Sequence, residues 1–214
     1  MKRVCRALVF SGLVGLSGFG VAHADAPKKD KGAKTAPAKG AKTAEEQKME
    51  KLMADVEKLA TPSEGHKRLA PMVGKWKTDS QMWMDPSKPP MKMAGTDETK
   101  WELGDRFLTS EYKGEMMGKP FVGLGTIGYD NHARKYQMTW RDTMTTCTIV
   151  MEGIADATGK VLTFSGEIYE PMFDKNVKQR WVIKLESDSK HLMEFYVTAP
   201  DGKEMKSMEI VYTK

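Results

Sequence analysis

From Gly74 onward the chain is written almost throughout in alternation, and no other feature constrains its fold as strongly. In the stretch 116–142, MMGKPFVGLGTIGYDNHARKYQMTWRD, Tyr136, Met138, Trp140 and Asp142 alternate with Gln137, Thr139 and Arg141. This is the period-2 pattern of a strand with one buried face. A preceding arm over 121–129 is joined to it by Asp-Asn-His-Ala-Arg-Lys, a segment whose Asp and Asn tolerate turns and hydrogen-bond their own backbone. The same rhythm predicts strands over 75–84, 94–103, 106–115, 121–129, 135–142, 146–154, 161–168, 177–186, 191–198 and 204–212, separated by turn residues such as Asp85-Pro86, Gly104-Asp105, Gly118 and Gly202. About ten short strands with short connections make an all-β antiparallel up-and-down meander. A sheet of that size curls or closes, which removes its exposed edges. Strands of ~8 to 10 residues, ~27 to 34 Å long, suit a barrel better than a short-stranded sandwich.

Gly123-Leu-Gly125-Thr-Ile-Gly128 matches the G-x-G-x-x-G string of dinucleotide sites. Such a site needs a helix N-terminus directly after the glycines to hold the pyrophosphate. Here a turn follows, and the nucleotide reading is set aside. Gly123 and Gly125 fall on one face of the predicted strand and Gly128 on the other. Glycines inside a strand mark a bend, a bulge, or a close approach by backbone or ligand.

Ahead of the alternating region the chain divides into 1–24, 25–43 and 44–70. Lys2, Arg3 and Arg6, an apolar run over 7–21 and Ala22-His-Ala24 predict a Sec-type signal peptide cleaved after Ala24, hence a periplasmic or secreted protein. No later run approaches the ~20 apolar residues of a spanning helix, so no transmembrane segment is expected. Cys5 leaves with the leader, so Cys147 has no partner for a disulfide, and a buried inert thiol is expected there. Residues 25–43, rich in Ala, Lys, Gly and Pro, have too little apolar surface to fold and read as a disordered tail. Thr43-Ala-Glu-Glu46 has capping-box spacing, and Met49, Leu52, Met53, Val56 and Leu59 recur at helical steps. An amphipathic helix ending near Thr61-Pro62, then a short helical turn over 64–69, is expected to cover one end of the domain.

Charge narrows the partners. Of the net +5, the leader carries +3 and the tail +4, leaving −2 for residues 44–214. A nucleic-acid-binding domain carries its own basic face, so no nucleic acid is expected. The lysine tail remains suited to weak contact with an anionic envelope surface.

Gly74 with Trp76, Gly104-Asp-Arg-Phe-Leu108, Tyr112-Lys-Gly114, Gly118-Lys-Pro-Phe121, Gly123-Leu-Gly125 with Gly128-Tyr-Asp130, Trp140-Arg-Asp142 and Met208-Glu-Ile-Val-Tyr212 together resemble the bacterial family catalogued as domain of unknown function 1579. The resemblance runs from about Gly74 to the end. It implies a lipocalin-like, calycin-type barrel over 71–214, with Gly74-Lys-Trp76 opening the first strand. It implies no activity, and the helical leader and lysine tail fall outside the family pattern.

A ten-strand barrel can enclose a cavity, and the alternating faces nominate Tyr136, Met138, Trp140, Asp142, Phe164, Trp181 and Phe195 as residues lining a site for a small apolar ligand. Cys147, Ile149, Met151, Leu162, Ile183 and Met193 lie on neighbouring faces. The competing expectation is that these side chains simply fill the barrel. Asp142, a charge on an otherwise apolar face, must be paired or shift its pKa, and Arg180 or Arg106 is the expected partner. An acid/base enzyme using Asp142 is the rival reading, but neither Glu111 nor Glu167 completes a constellation and no catalytic residue is assigned. His66, His132 and His191 fall in a helix turn, a hairpin loop and a strand start, lack paired ligand spacing and are by default solvated or turn residues, although one histidine suffices to ligate a haem. Met82, Met84, Met91 and Met93 form two i, i+2 pairs of soft thioethers suited to Cu(I), weighed against methionine as adaptable filler. No cofactor is called for.

Overall fold

A computed structural model describes residues 42–85 and 87–214; the expected signal peptide and most of the expected disordered tail lie outside the described residues. The chain forms α1 (Ala44–Ala60), α2 (Glu64–Lys67) and a single 3-10 turn (Ala70–Met72). Ten strands follow: β1 (Gly74–Met82), β2 (Met91–Glu102), β3 (Phe107–Met116), β4 (Lys119–Asp130), β5 (Lys135–Asp142), β6 (Ile149–Ala155), β7 (Val161–Glu170), β8 (Lys175–Ser187), β9 (Lys190–Thr198) and β10 (Glu204–Thr213). Each strand pairs antiparallel with the next, and β1 pairs with β10 from Lys77↔Thr213 to Met82↔Met208, closing the barrel. All ten expected strands are present. β2 begins earlier than alternation suggests because Met91 pairs with Met82 across β1. β6 begins later because 143–148 is a loop, tied back by Met144 and Thr145 N–H groups that donate to Asp142 Oδ1 at 2.9 and 3.2 Å.

The glycines of β4 have a packing reason. A Cβ on Gly123 would enter the Trp140 indole, and one on Gly125 would stand 2.6 Å from Ser110 Oγ and 3.4 Å from the same indole. Both positions give up a side chain so that Trp140, next door on β5, can lie flat along the inner wall. Gly128 faces outward, where a Cβ would meet the Phe107 ring at 2.6 Å.

One end of the barrel is packed shut. Leu69 and Met72, from the segment between α1 and β1, are buried with Leu108, Tyr136, Met151, Leu162, Phe164 and Ile183 in one apolar cluster. The plug is also hydrogen-bonded: Tyr136 Oη donates to Gly65 O at 3.0 Å, and Trp76 Nε1 donates to Met72 O at 2.8 Å. α1 forms as expected, with Thr43 Oγ1 accepting from Glu46 N at 3.2 Å and Glu46 Oε2 accepting from Thr43 N at 2.7 Å. It does not cover the domain. None of its residues is buried, and Met49, Leu52, Met53, Val56 and Leu59 are all 48–58% exposed. Its attachment is polar, through Asn131 Nδ2 donating to Leu59 O and Thr61 O, both at 2.8 Å. The covering role belongs to residues 64–72, through Leu69 and Met72, which are buried in the barrel end.

On the outer surface, Glu194 is buried between strands and accepts from Lys184 and Lys206 at 2.7 and 2.8 Å and from Tyr196 Oη at 3.0 Å. Burial alone would raise its pKa, but these bonds bring it to about 2. The network ties β8, β9 and β10 together beside the closure seam.

Two outcomes follow from this packing. Gly123→Ala should destabilise by about 1–3 kcal/mol, the usual effect of overpacking, read as a lower urea midpoint. Removal of residues before Thr61 should shift unfolding by no more than about 0.5 kcal/mol, as expected for surface changes; a larger loss would show that α1 supports the barrel.

Candidate functional site

Above the plug the barrel encloses a cavity of about 780 Å³. Its lining includes the loops that join β1 to β2, β5 to β6 and β7 to β8, so it opens at the end opposite the plug. Most of the wall, from β3 through β9, is apolar: Leu108, Ile127, Met138, Trp140, Ile149, Trp181, Ile183, Met193 and Phe195. The mouth is rich in methionine, with Met82, Met84, Met116, Met144, Met172, Met205 and Met208 around it. Unbranched thioether side chains repack easily around guests of different shape.

A polar strip interrupts the apolar wall on either side of the closure seam. Alternation from the buried Trp76 places Thr78 and Ser80 inward on β1, and alternation from Met93 places Asp97 and Thr99 inward on β2. Tyr112 stands beside Asp97 in register on β3, and Tyr212 beside Thr78 on β10. Asp97 is 5% exposed and accepts from Thr99 Oγ1 at 2.7 Å. Ser80 Oγ and Thr78 Oγ1 are buried without a hydrogen-bond partner. Burial raises the pKa of Asp97, opposed by the Thr99 bond. Burial also carries Tyr212 well above the usual phenol range, helped by the neighbouring charges of Asp97 and Tyr112. Deeper in, His191 stacks on Tyr212 at 4.2 Å and meets the Trp76 edge at 4.4 Å. Its Nδ1 has no partner. Burial, then the charge of Lys214, lowers its pKa to about 4.

Among the residues nominated from sequence, Met138, Trp140, Asp142, Trp181 and Phe195 line the cavity. Tyr136 and Phe164 do not; they are 1% and 0% exposed and belong to the packed end. Asp142 sits at the mouth, with no ion pair to any of the described residues. Its Oδ2 accepts from Trp140 Nε1 at 2.9 Å and its Oδ1 from the two loop amides. Neither expected arginine reaches it: Arg180 pairs with Glu204 at 2.6 Å, and Arg106 donates to Leu103 O and Gly104 O. The register explains this, because β8 is not adjacent to β5 and Arg180 lies on the outer face. Cys147, expected buried, is exposed in the β5–β6 loop at the mouth. His66 lies in the helical turn α2 and His191 at the start of β9, as placed from sequence, but both are buried rather than solvated. His66 Nδ1 accepts from Ser63 N at 3.0 Å, while His191 lines the cavity and His132 remains exposed in a turn.

Met82 stands in register between Met91 on β2 and Met208 on β10. Met82, Met84 and Met93 line the cavity, whereas Met91 does not. Among the described residues no cluster of His, Cys, Asp or Glu has metal-binding geometry.

The polar strip was not nominated from sequence. Its signal was present in parity, since Asp97 shares a face with Met93 and Trp101, but Asp97 sits in the run Thr-Asp-Glu-Thr-Lys where neighbouring polar residues disguise it.

Residues 61–214 match the family described as protein of unknown function, DUF1579, and the chain belongs to that family. No curated protein matches it. Among solved structures, Rv2717c from M. tuberculosis is 14% identical, covers 72% of this chain and 99% of its own, and superposes with a TM-score of 0.51, showing a shared fold. The S-type phycobiliprotein lyase CPES from Guillardia theta is a looser likeness, 8% identical over 72% of this chain and 98% of its own, with a TM-score of 0.48. A redesigned β-barrel is 14% identical over 69% and 94%, with a TM-score of 0.36.

The buried imidazole sets a pH dependence. The unfolded chain binds a proton near pH 6.5 that folded His191 resists down to about 4. Stability present above the unfolded value is therefore lost as pH falls through this window, by on the order of 3 kcal/mol. Asp97 acts with the opposite sign, so the contribution is read by difference. Denaturant melts at pH 7 and pH 4.5 should show a smaller acid loss in His191→Phe than in the parent. Identical losses would place His191 in contact with solvent.

Proposed function

We propose that this is an exported, non-enzymatic barrel protein that binds or shields a small, mainly apolar molecule. The observation that carries the reading is the cavity of about 780 Å³, plugged at one end, open at the other and walled chiefly by aromatic, methionine and branched side chains. Small-molecule sites fall at ~300–1,000 Å³ with this kind of lining. A guest burying ~400 Å² of apolar surface would gain ~10 kcal/mol gross. Association costs several of these, leaving roughly micromolar affinity. The bonding of Asp142 supports the non-enzymatic reading, because both its oxygens are engaged in holding Trp140 and the β5–β6 loop.

Native mass spectrometry on protein purified from its own envelope, beside a denatured sample, tests the proposal. A non-covalent mass lost on denaturation is expected. Metal analysis of the same sample tests the methionine positions, and copper lost when Met82, Met84, Met91 and Met93 become Leu would replace the apolar guest with a metal. A clean protein mass, together with unchanged Trp fluorescence and melting temperature on titration with lipophilic probes, would sink the binding role.

A further inference from the structure

We propose that the cavity takes an organic cation: an apolar body lies against Met138, Trp140 and Trp181, and a protonated amine is held by Asp97 on the facing polar strip. This rests on the cavity being a binding site and adds the chemistry of its guest.

Asp97 faces the cavity at 5% exposure, and among the described residues its only hydrogen bond is from Thr99 Oγ1. No lysine or arginine among the described residues pairs with it. Lys77, Lys100 and Lys113, on the surrounding strands, alternate to the outside and are exposed. Lys214 Nζ lies 4.3 Å over the Trp76 ring instead. A buried carboxylate without a counter-charge is costly, and a guest that brings the positive charge removes that cost. Ser80 Oγ, 3% exposed, cavity-lining and unpartnered, is a second acceptor for an ammonium N–H. Tyr112 and Tyr212 add aromatic surface of the kind that attracts cations when water is excluded.

The alternatives fit less well. A carboxylate or phosphate guest would meet Asp97 with no lysine or arginine in the lining to offset it, and with His191, the one imidazole there among the described residues, held neutral at pH 7 by burial. A neutral alcohol can donate to Asp97 but leaves its charge uncompensated. A charge-assisted bond is roughly twice as strong as a neutral one, so the guest classes separate by affinity. Burial also holds Asp97 above the ordinary carboxylate range, and binding of an ammonium would draw it back down.

The test is calorimetric titration of the full protein at pH 7 with decylammonium, 1-decanol and decanoate, which share one chain length. Decylammonium is expected to bind at least tenfold more tightly than 1-decanol, with decanoate weakest. Asp97→Asn should abolish the tenfold ratio, and Ser80→Ala should reduce it. Equal affinities for amine and alcohol in the parent protein would overturn the cation inference while leaving the cavity reading intact. So would a ratio that survives Asp97→Asn. If none of the three binds, the cavity reading fails and this inference falls with it. Should Asp97→Asn not fold, the parent ratio and the Ser80→Ala comparison still decide.

Discussion

The antiparallel pairing of β1 with β10 is the constraint on which the remaining features depend. Without it the sheet would have two long edges, each a row of unpaired backbone groups. With it, ten strands form a ring whose width grows with strand number, and eight strands already give the largest interior that side chains alone readily fill. A ten-stranded ring must therefore be narrowed, plugged or left hollow. This chain does all three along its length. Trp140 lies flat over Gly123 and Gly125 on one wall, Leu69 and Met72 block one end, and the remainder is cavity.

The strands were legible because barrel closure imposes what alternation reports: each strand has one inner and one outer face. The plug was harder to read. α1 carries the stronger helical stripe, yet its apolar residues stay exposed, while the weakly patterned 64–72 segment carries Leu69 and Met72 into the packed end. Periodicity identifies an amphipathic element but not the surface that meets it. Gly65 illustrates the missing information, since a Cβ there would enter the Tyr129 ring, a contact set by a strand more than sixty residues away. The nucleotide-like glycine string had the same ambiguity, and its cause is a tryptophan on the adjacent strand.

The candidate site was legible on its apolar side and obscure on its polar side for one reason. Apolar residues inside a barrel are the default, so Met138, Trp140, Trp181 and Phe195 could be placed from parity alone. Ser80, Thr78, Asp97 and Thr99 break the inner-face pattern, and in sequence a broken pattern resembles a weak strand. Structure reverses the weight of the two groups. Buried polar atoms without partners lower stability, and proteins tend to break local rules at functional sites. The strip beside the closure seam is therefore the more informative wall of the cavity.

Asp97 and Asp142 show why the identity of a residue does not decide its role. Both are carboxylates at inward positions on alternating strands, and Asp142 is the more conspicuous because its neighbours are aromatic and apolar. Asp142 lies at a strand end, where two loop amides and an indole N–H can reach it, and its charge is absorbed by that local structure. Asp97 lies midway along β2, where the backbone groups are committed to the sheet ladders on both sides and cannot serve a side chain. Among the described residues only Thr99, two residues along the same face, donates to it. A carboxylate at a strand end becomes scaffold because free amides are at hand; one in the middle of a paired strand keeps hydrogen-bonding capacity that the backbone does not use.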